Sequence, residues 1–101
     1  MDIKELTQKI VTVSDTYAKV CKVNRDNDWY VLKLQEELGE LIQSYLSFTK
    51  RGRSRGKTEK IIKENFADEL ADVIGHILLA ADHFDIDIEK ALKRKWFKYL
   101  K

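Results

Sequence analysis

The chain has 101 residues, 36% of them charged, with no proline and a single cysteine. That length fits one domain, one thiol excludes both an intramolecular disulfide framework and a four-thiolate metal site, and a reducing, cytoplasmic setting is expected. No apolar run reaches the ~18 residues of a membrane span, so no membrane partner is expected. The net charge of +2 hides a segregation: Lys50–Lys57 carries five basic residues and no acid, Lys90–Lys101 carries six and no acid, and the remainder sums to −9.

Absent proline and abundant Leu, Ile, Lys and Glu favour long helices, and four are read in chain order. The first spans about Asp2 to Lys22, with Asp2 and Glu5 spaced like a capping box and Ile3, Leu6, Ile10, Val13, Tyr17 and Val20 at helical intervals. A polar break follows, with Asn27 or Asp28 as the expected N-cap of a second helix running to Phe48. Val31, Leu34, Leu38, Leu41, Ile42 and Tyr45 form its apolar face. Lys50–Lys57, with two glycines and no apolar residue, is a loop. Thr58 suits the cap of a third helix ending near Phe84, and Asp87 the cap of a last, basic helix to Leu100.

Within the third helix, Leu70, Ala71, Val73, Ile74, Ile77, Leu78, Leu79, Ala80 and Ala81 leave little polar surface. A helix apolar on most sides needs cover on most sides, which one small chain hardly supplies. The expectation is an all-α, four-helix-bundle-like protomer packed into a helical homo-oligomer.

The chemistry lies in two acidic segments. Glu36-Glu37-Leu38-Gly39-Glu40 is on the second helix and Glu69-Leu70-Ala71-Asp72 on the third. Residues three apart share a helix face, so Glu37 pairs with Glu40 and Glu69 with Asp72, each pair bordering an apolar stripe. Packing of the stripes carries both pairs toward the helix interface, with Gly39 allowing close approach. Two unit charges 4 Å apart cost about 4 kcal/mol at an effective dielectric of 20, so convergence calls for a cation, and an all-oxygen set suits Mg²⁺, Mn²⁺ or Ca²⁺. The competing reading is of solvated acids paired with lysines.

The order Lys33-Leu-Gln-Glu-Glu-Leu-Gly-Glu40, 28 intervening residues, then Glu69-Leu-Ala-Asp-Val-Ile74, resembles the MazG-like all-α nucleotide pyrophosphohydrolases. The likeness continues through Leu79-Ala-Ala-Asp-His-Phe-Asp-Ile-Asp-Ile-Glu-Lys-Ala91 and covers Trp29 to Lys95. It implies a Mg²⁺-dependent hydrolase, with Mn²⁺ as a substitute, that cleaves nucleoside triphosphates between the α and β phosphates. It also implies Glu37, Glu40, Glu69 and Asp72 as metal ligands, Glu36 as a further catalytic acid, and a homodimer or homotetramer. Lys95 aligns with a family lysine near phosphate, but the asparagine expected four residues later is Tyr99.

Among the other candidates, Arg53, Arg55 and Lys57 suit phosphate oxygens, or else simply keep a loop solvated. Lys33 faces phosphate or pairs with Glu37. Trp29 stacks on a base or packs as a staple. His76 shares a face with Glu69 and Asp72, as a supporting partner, an extra ligand or a core histidine, while His83 reads as structural. Two other classes compete. One is a helical nucleic-acid-binding module using loop 50–57 and the basic C-terminal helix; the loop's lack of interleaved aromatics makes nucleic acid an unlikely partner. The other is a dimetal oxidoreductase, weakened because neither acidic segment carries the E-x-x-H spacing.

Overall fold

Every helix starts where a short polar side chain accepts a hydrogen bond from a backbone N–H that has no partner within the helix. In the computed structural model, which describes Met1–Lys101, Asp2 accepts from Glu5 N at 2.8 Å to open α1 (Ile3–Cys21). Asp26 accepts from Trp29 N at 2.8 Å to open α2 (Asn27–Phe48), one residue ahead of Asn27 and two ahead of Asp28, the expected caps. Thr58 opens α3 (Glu59–His83) and Asp87 opens α4 (Ile88–Lys95) as expected. α4 stops at Lys95 instead of Leu100, and a 3₁₀ turn, Phe97–Tyr99, follows it. The fold is all-α with four helices and no strand.

α2 and α3 form an antiparallel hairpin clamped by aromatic rings at both ends. At one end Tyr30 stacks on His83 with centroids 3.9 Å apart, and His83 Nε2 lies 2.8 Å from Asn27 Oδ1, giving His83 its structural role. At the other, Phe66 meets Phe48 at 5.1 Å and Tyr45 at 5.8 Å. α1 lies against the first end, its Ile10 and Val11 packed on a small core of Tyr30, Leu79 and Ala80 that Trp29 also touches. The α1–α2 connector is tied back by Arg25, which donates to Ser14 Oγ at 2.9 Å and to Asp15 at 2.8 Å.

The chain is open in shape. Its radius of gyration is 16.0 Å, against about 13 Å for a compact domain of this length. It exposes 8242 Å², where a compact monomer of this mass exposes about 5,900 Å², an excess of roughly 2,300 Å². A four-helix bundle is not closed within one chain, because only α1, α2 and α3 pack together. α4 buries no residue, and Trp96 just after it is exposed.

Many large apolar side chains on this surface form ordered stripes. On the hairpin, Val31, Leu38 and Ile42 of α2 and Leu70, Ile74 and Ile77 of α3 are all exposed, Leu38 by 46% and Ile74 by 55%. At about 100° per residue each trio sits the same way round from the seam, and in antiparallel helices this puts both on one side of the hairpin. A second stripe, Leu6, Val13, Tyr17 and Val20, runs along α1. The expectation that apolar stripes of α2 and α3 pack on each other holds in part: Leu34, Leu41 and Val73 are half-buried, whereas Leu38, Leu70 and Ile77 face outward beside a seam that the acids share. The close approach expected at Gly39 is corrected, since a Cβ there meets nothing within 4 Å.

The small core makes a direct stability prediction. Leu79, 4% exposed, is at its centre, and Leu79→Ala should cost about 2–5 kcal/mol in urea unfolding. A cost under about 1 kcal/mol would show that the α1–α3 packing does not hold the fold.

Candidate functional site

The seam between α2 and α3 is lined by carboxylates. Glu37 and Glu40, one turn apart on α2, and Glu69 on α3 each offer an oxygen within 4.8 Å of the others. Glu37 is 7% exposed, the one charged residue among the buried set, whereas Glu40 stays open to solvent and Glu69 is half-buried. Glu37 Oε2 and Glu69 Oε2 are both buried without any hydrogen-bond partner. A buried acceptor left unpaired costs about 1–3 kcal/mol, and more when charged, so the seam demands protons or a cation.

The electrostatics say the same. Burial first, then the charge and contact of Glu40, then Asp72, push the Glu37 carboxyl above its ordinary value, with Lys33 opposing. Glu69 is raised by burial first, then by Asp72, Glu40 and Asp68. Burial works against the Lys33 ammonium, but its hydrogen bond to Glu36 and the field of Glu36, Glu37 and Glu40 outweigh this and raise its pKa. His76 Nε2 lies 3.6 Å from Glu37 Oε1. Burial, then Lys33, lower its pKa against the pull of Asp72, Glu36 and Glu40, which keeps the ring neutral near pH 7.

Not every expected site residue joins the cluster. Asp72 is exposed at the rim, outside the converging set, though its charge reaches both Glu37 and Glu69. Glu36 also lies outside the set and turns to solvent, paired with Lys33 at 3.2 Å. Lys33 pairs with Glu37 as well, at 3.7 Å, so the ion-pair reading of this lysine is the one seen. Trp29 packs at the core and meets the His76 ring edge-on at 6.2 Å. Lys95 is exposed on α4, which adds nothing to the cleft beside the acids.

That cleft, of about 770 Å³, begins at Glu40 and Glu69 and runs toward the α2–α3 loop, where Arg53, Arg55 and Lys57 line it. All three loop residues thus share a cleft with the acids. The C-terminal basic tract does not: α3 separates it from the loop by about 37 Å at 1.5 Å per residue. Sequence periodicity gave no sign that His76 would sit directly against Glu37, because register across the seam is not written in either helix alone. Comparison of the chain with family models, curated proteins and solved structures found no match.

The donor set fits a hard divalent cation. It is all oxygen, drawn from two helices, with two buried acceptors lacking partners, and Mg²⁺, Mn²⁺ and Ca²⁺ take such ligands. The pKa shifts set the sign of a pH test. Glutamates raised on folding give stability that is complete below the ordinary glutamate value and lost as pH rises through the raised one. His76, lowered on folding, gives stability that is lost as pH falls, so the two trends oppose and a variant must separate them. Relative to the wild type in EDTA, Glu37→Gln/Glu69→Gln should gain Tm as pH rises above the ordinary glutamate value and level off beyond the raised one, by about 4–8 °C per kcal/mol relieved. Added Mg²⁺ or Mn²⁺ should raise only the wild-type Tm. A Tm difference flat with pH would remove the buried-charge account of the seam.

Proposed function

We propose that the chain is a Mg²⁺-dependent nucleotide pyrophosphohydrolase, active with Mn²⁺ in place of Mg²⁺, that cleaves nucleoside triphosphates to a nucleoside monophosphate and pyrophosphate. The observation that carries the reading is the pair of unpartnered, buried oxygens of Glu37 and Glu69, converging with Glu40 at the mouth of a polar cleft. The MazG-like order of acids in the sequence supports the same assignment.

In this reading Glu37, Glu40 and Glu69 hold the cation and Asp72, at the rim, completes the set. Bound there, a divalent ion supplies charge neutralisation at the phosphates and a more acidic water. The water oxygen bonds to the α-phosphorus and the bridging α–β P–O bond breaks. Pyrophosphate departs with that electron pair, and the water's proton passes to a carboxylate left over from coordination. Glu36, outside the cluster, is the acid left to orient the water, with Lys33 holding its side chain. No covalent nucleophile is involved.

The active form is a homo-oligomer. Its support is the excess exposed surface and its arrangement: two hairpins meeting through Val31, Leu38, Ile42, Leu70, Ile74 and Ile77 complete a four-helix bundle. The roughly 2,300 Å² of excess per chain is the scale of a permanent homodimer interface. The α1 stripe is a second contact that takes such a dimer to a tetramer.

A nucleic-acid-binding role finds less support, because the two basic tracts lie at opposite ends of the hairpin and do not merge into one basic face within the chain. Purified protein with Mg²⁺ and a panel of canonical and modified triphosphates should release pyrophosphate, and Glu69→Gln should reduce turnover by at least about 10³-fold with helicity unchanged. A folded sample that releases none from any substrate rejects the enzyme assignment. Separately, Leu38→Asp/Ile74→Asp should halve or quarter the mass seen by analytical ultracentrifugation. An unchanged mass would exclude the hairpin face as the interface.

A further inference from the structure

The loop joining α2 to α3 is held in place. Arg51 N and Gly52 N both donate to Leu46 O, at 2.7 and 2.9 Å, and Ser47 Oγ donates to Arg53 O at 3.0 Å. A Cβ on Gly52 would stand 3.1 Å from Ser47 N and 3.3 Å from the Leu46 carbonyl carbon, so glycine lets the loop fold down onto the last turn of α2. Arg55 and Gly56 both take positive φ, 53° and 76°, as the chain turns back into α3.

The loop's five cations are then divided by what they touch. Lys50 reaches Glu59 at 3.6 Å, and Arg51 lies over the Tyr45 ring at 5.2 Å with its Nε donating to Thr49. Arg53, Arg55 and Lys57 have no acidic partner in any ion pair of the structure. These three, and neither of the engaged pair, line the cleft that begins at Glu40 and Glu69. Asp68, on the same wall, adds acid at the Glu69 end and leaves the loop end purely basic. Glu40 and Ser47 are about 10 Å apart along α2 at 1.5 Å per residue, a span that arginine side chains and a short polyphosphate together bridge.

We propose that Arg53, Arg55 and Lys57 bind the β and γ phosphates of the substrate, the part that leaves as pyrophosphate, so that the triphosphate lies along the cleft with its tail toward the loop. The nucleoside monophosphate part then falls on the other side of the acids, toward Lys33 and His76. The inference rests on the pyrophosphohydrolase reading and adds to it a direction of binding and three positioning cations. Arginine forks match terminal phosphate oxygens in pairs, and a preset loop avoids the ordering cost of a mobile one.

Isothermal titration of the whole protein with pyrophosphate, in Mg²⁺, tests the assignment without requiring turnover. Arg53→Gln/Arg55→Gln should weaken pyrophosphate binding by about 10-fold or more. Its affinity for a nucleoside monophosphate, and for Mn²⁺ by electron paramagnetic resonance, should stay within about twofold. Gly52→Val keeps every charge but lifts the loop, and should weaken pyrophosphate binding in the same way; Mn²⁺ binding and circular dichroism report that each variant is folded. Wild-type protein that does not bind pyrophosphate, a variant that binds it as tightly as wild type, or equal losses for pyrophosphate and monophosphate would each overturn the proposal. Failure of the underlying reading looks different: triphosphates are not hydrolysed at all, whatever the loop carries.

Discussion

The structure turns on like charges placed between helices. Where α2 meets α3, an ordinary hairpin would put leucine against leucine, yet of the two buried positions on α2, Tyr30 and Glu37, the second is a carboxylate close to Glu69 and Glu40. Removing a carboxylate from water without a partner is among the most costly arrangements a protein contains. The hairpin therefore needs help at its centre, and it is braced at both ends by aromatic pairs, Tyr30 on His83 and Phe48 on Phe66. Those clamps hold the seam shut while the acids press it apart.

The same register explains the unpaired apolar surface. A helix of this composition has one broad apolar face, and if acids take the seam, the face must turn elsewhere. It turns by about 100° on each helix, and antiparallel packing brings both faces to the same side. The acid cluster and the exposed apolar face are thus two consequences of one choice of helix rotation, which brings Glu37 and Glu69 to the seam and leaves Leu38, Leu70 and Ile74 outside it. The net charge divides along the same geometry. The loop tract is folded against α2 and faces the acids down a shared cleft, while the C-terminal tract is carried off by α3. Of the two basic tracts that balance the acids in the sum of +2, one is in place to act with them.

Much of this was legible from local chemistry. Asp2, Thr58 and Asp87 cap their helices as read, because a cap is a contact between residues three apart and depends on nothing distant. The second helix begins one residue early, since Asp26, Asn27 and Asp28 are all competent and only the fold of the connector selects among them. The Glu37–Glu40 pairing follows from helical period alone. Which face meets the neighbouring helix does not: periodicity reports a stripe and is silent on its partner, so it brings the acids toward the interface without showing that Glu37 is buried within it. Spacing groups Asp72 with the cluster and the family resemblance adds Glu36, and both stand outside the converging set of Glu37, Glu40 and Glu69. His76 against Glu37 and the tether of Ser47 to Arg53 depend on register between segments, which one sequence does not carry.

The carboxylates also tie cation binding to the shape of the hairpin. Glu37 and Glu40 belong to α2 and Glu69 to α3, so an ion held by all three is a crosslink between helices whose relative position sets the apolar face on the other side. A ligand that binds only the closed arrangement stabilises it by RT ln(1 + [L]/Kd), about 2.7 kcal/mol at a hundredfold excess over Kd. Linkage is reciprocal: an oligomer that fixed the apolar face would also fix the seam, and so tighten the hold on a cation by the same factor. The free chain, open in outline and with its acids unneutralised, is on this account the weakest binder of metal. If copies pair through that face as proposed, pairing and cation loading would favour one another, because both would act on the angle between the same two helices.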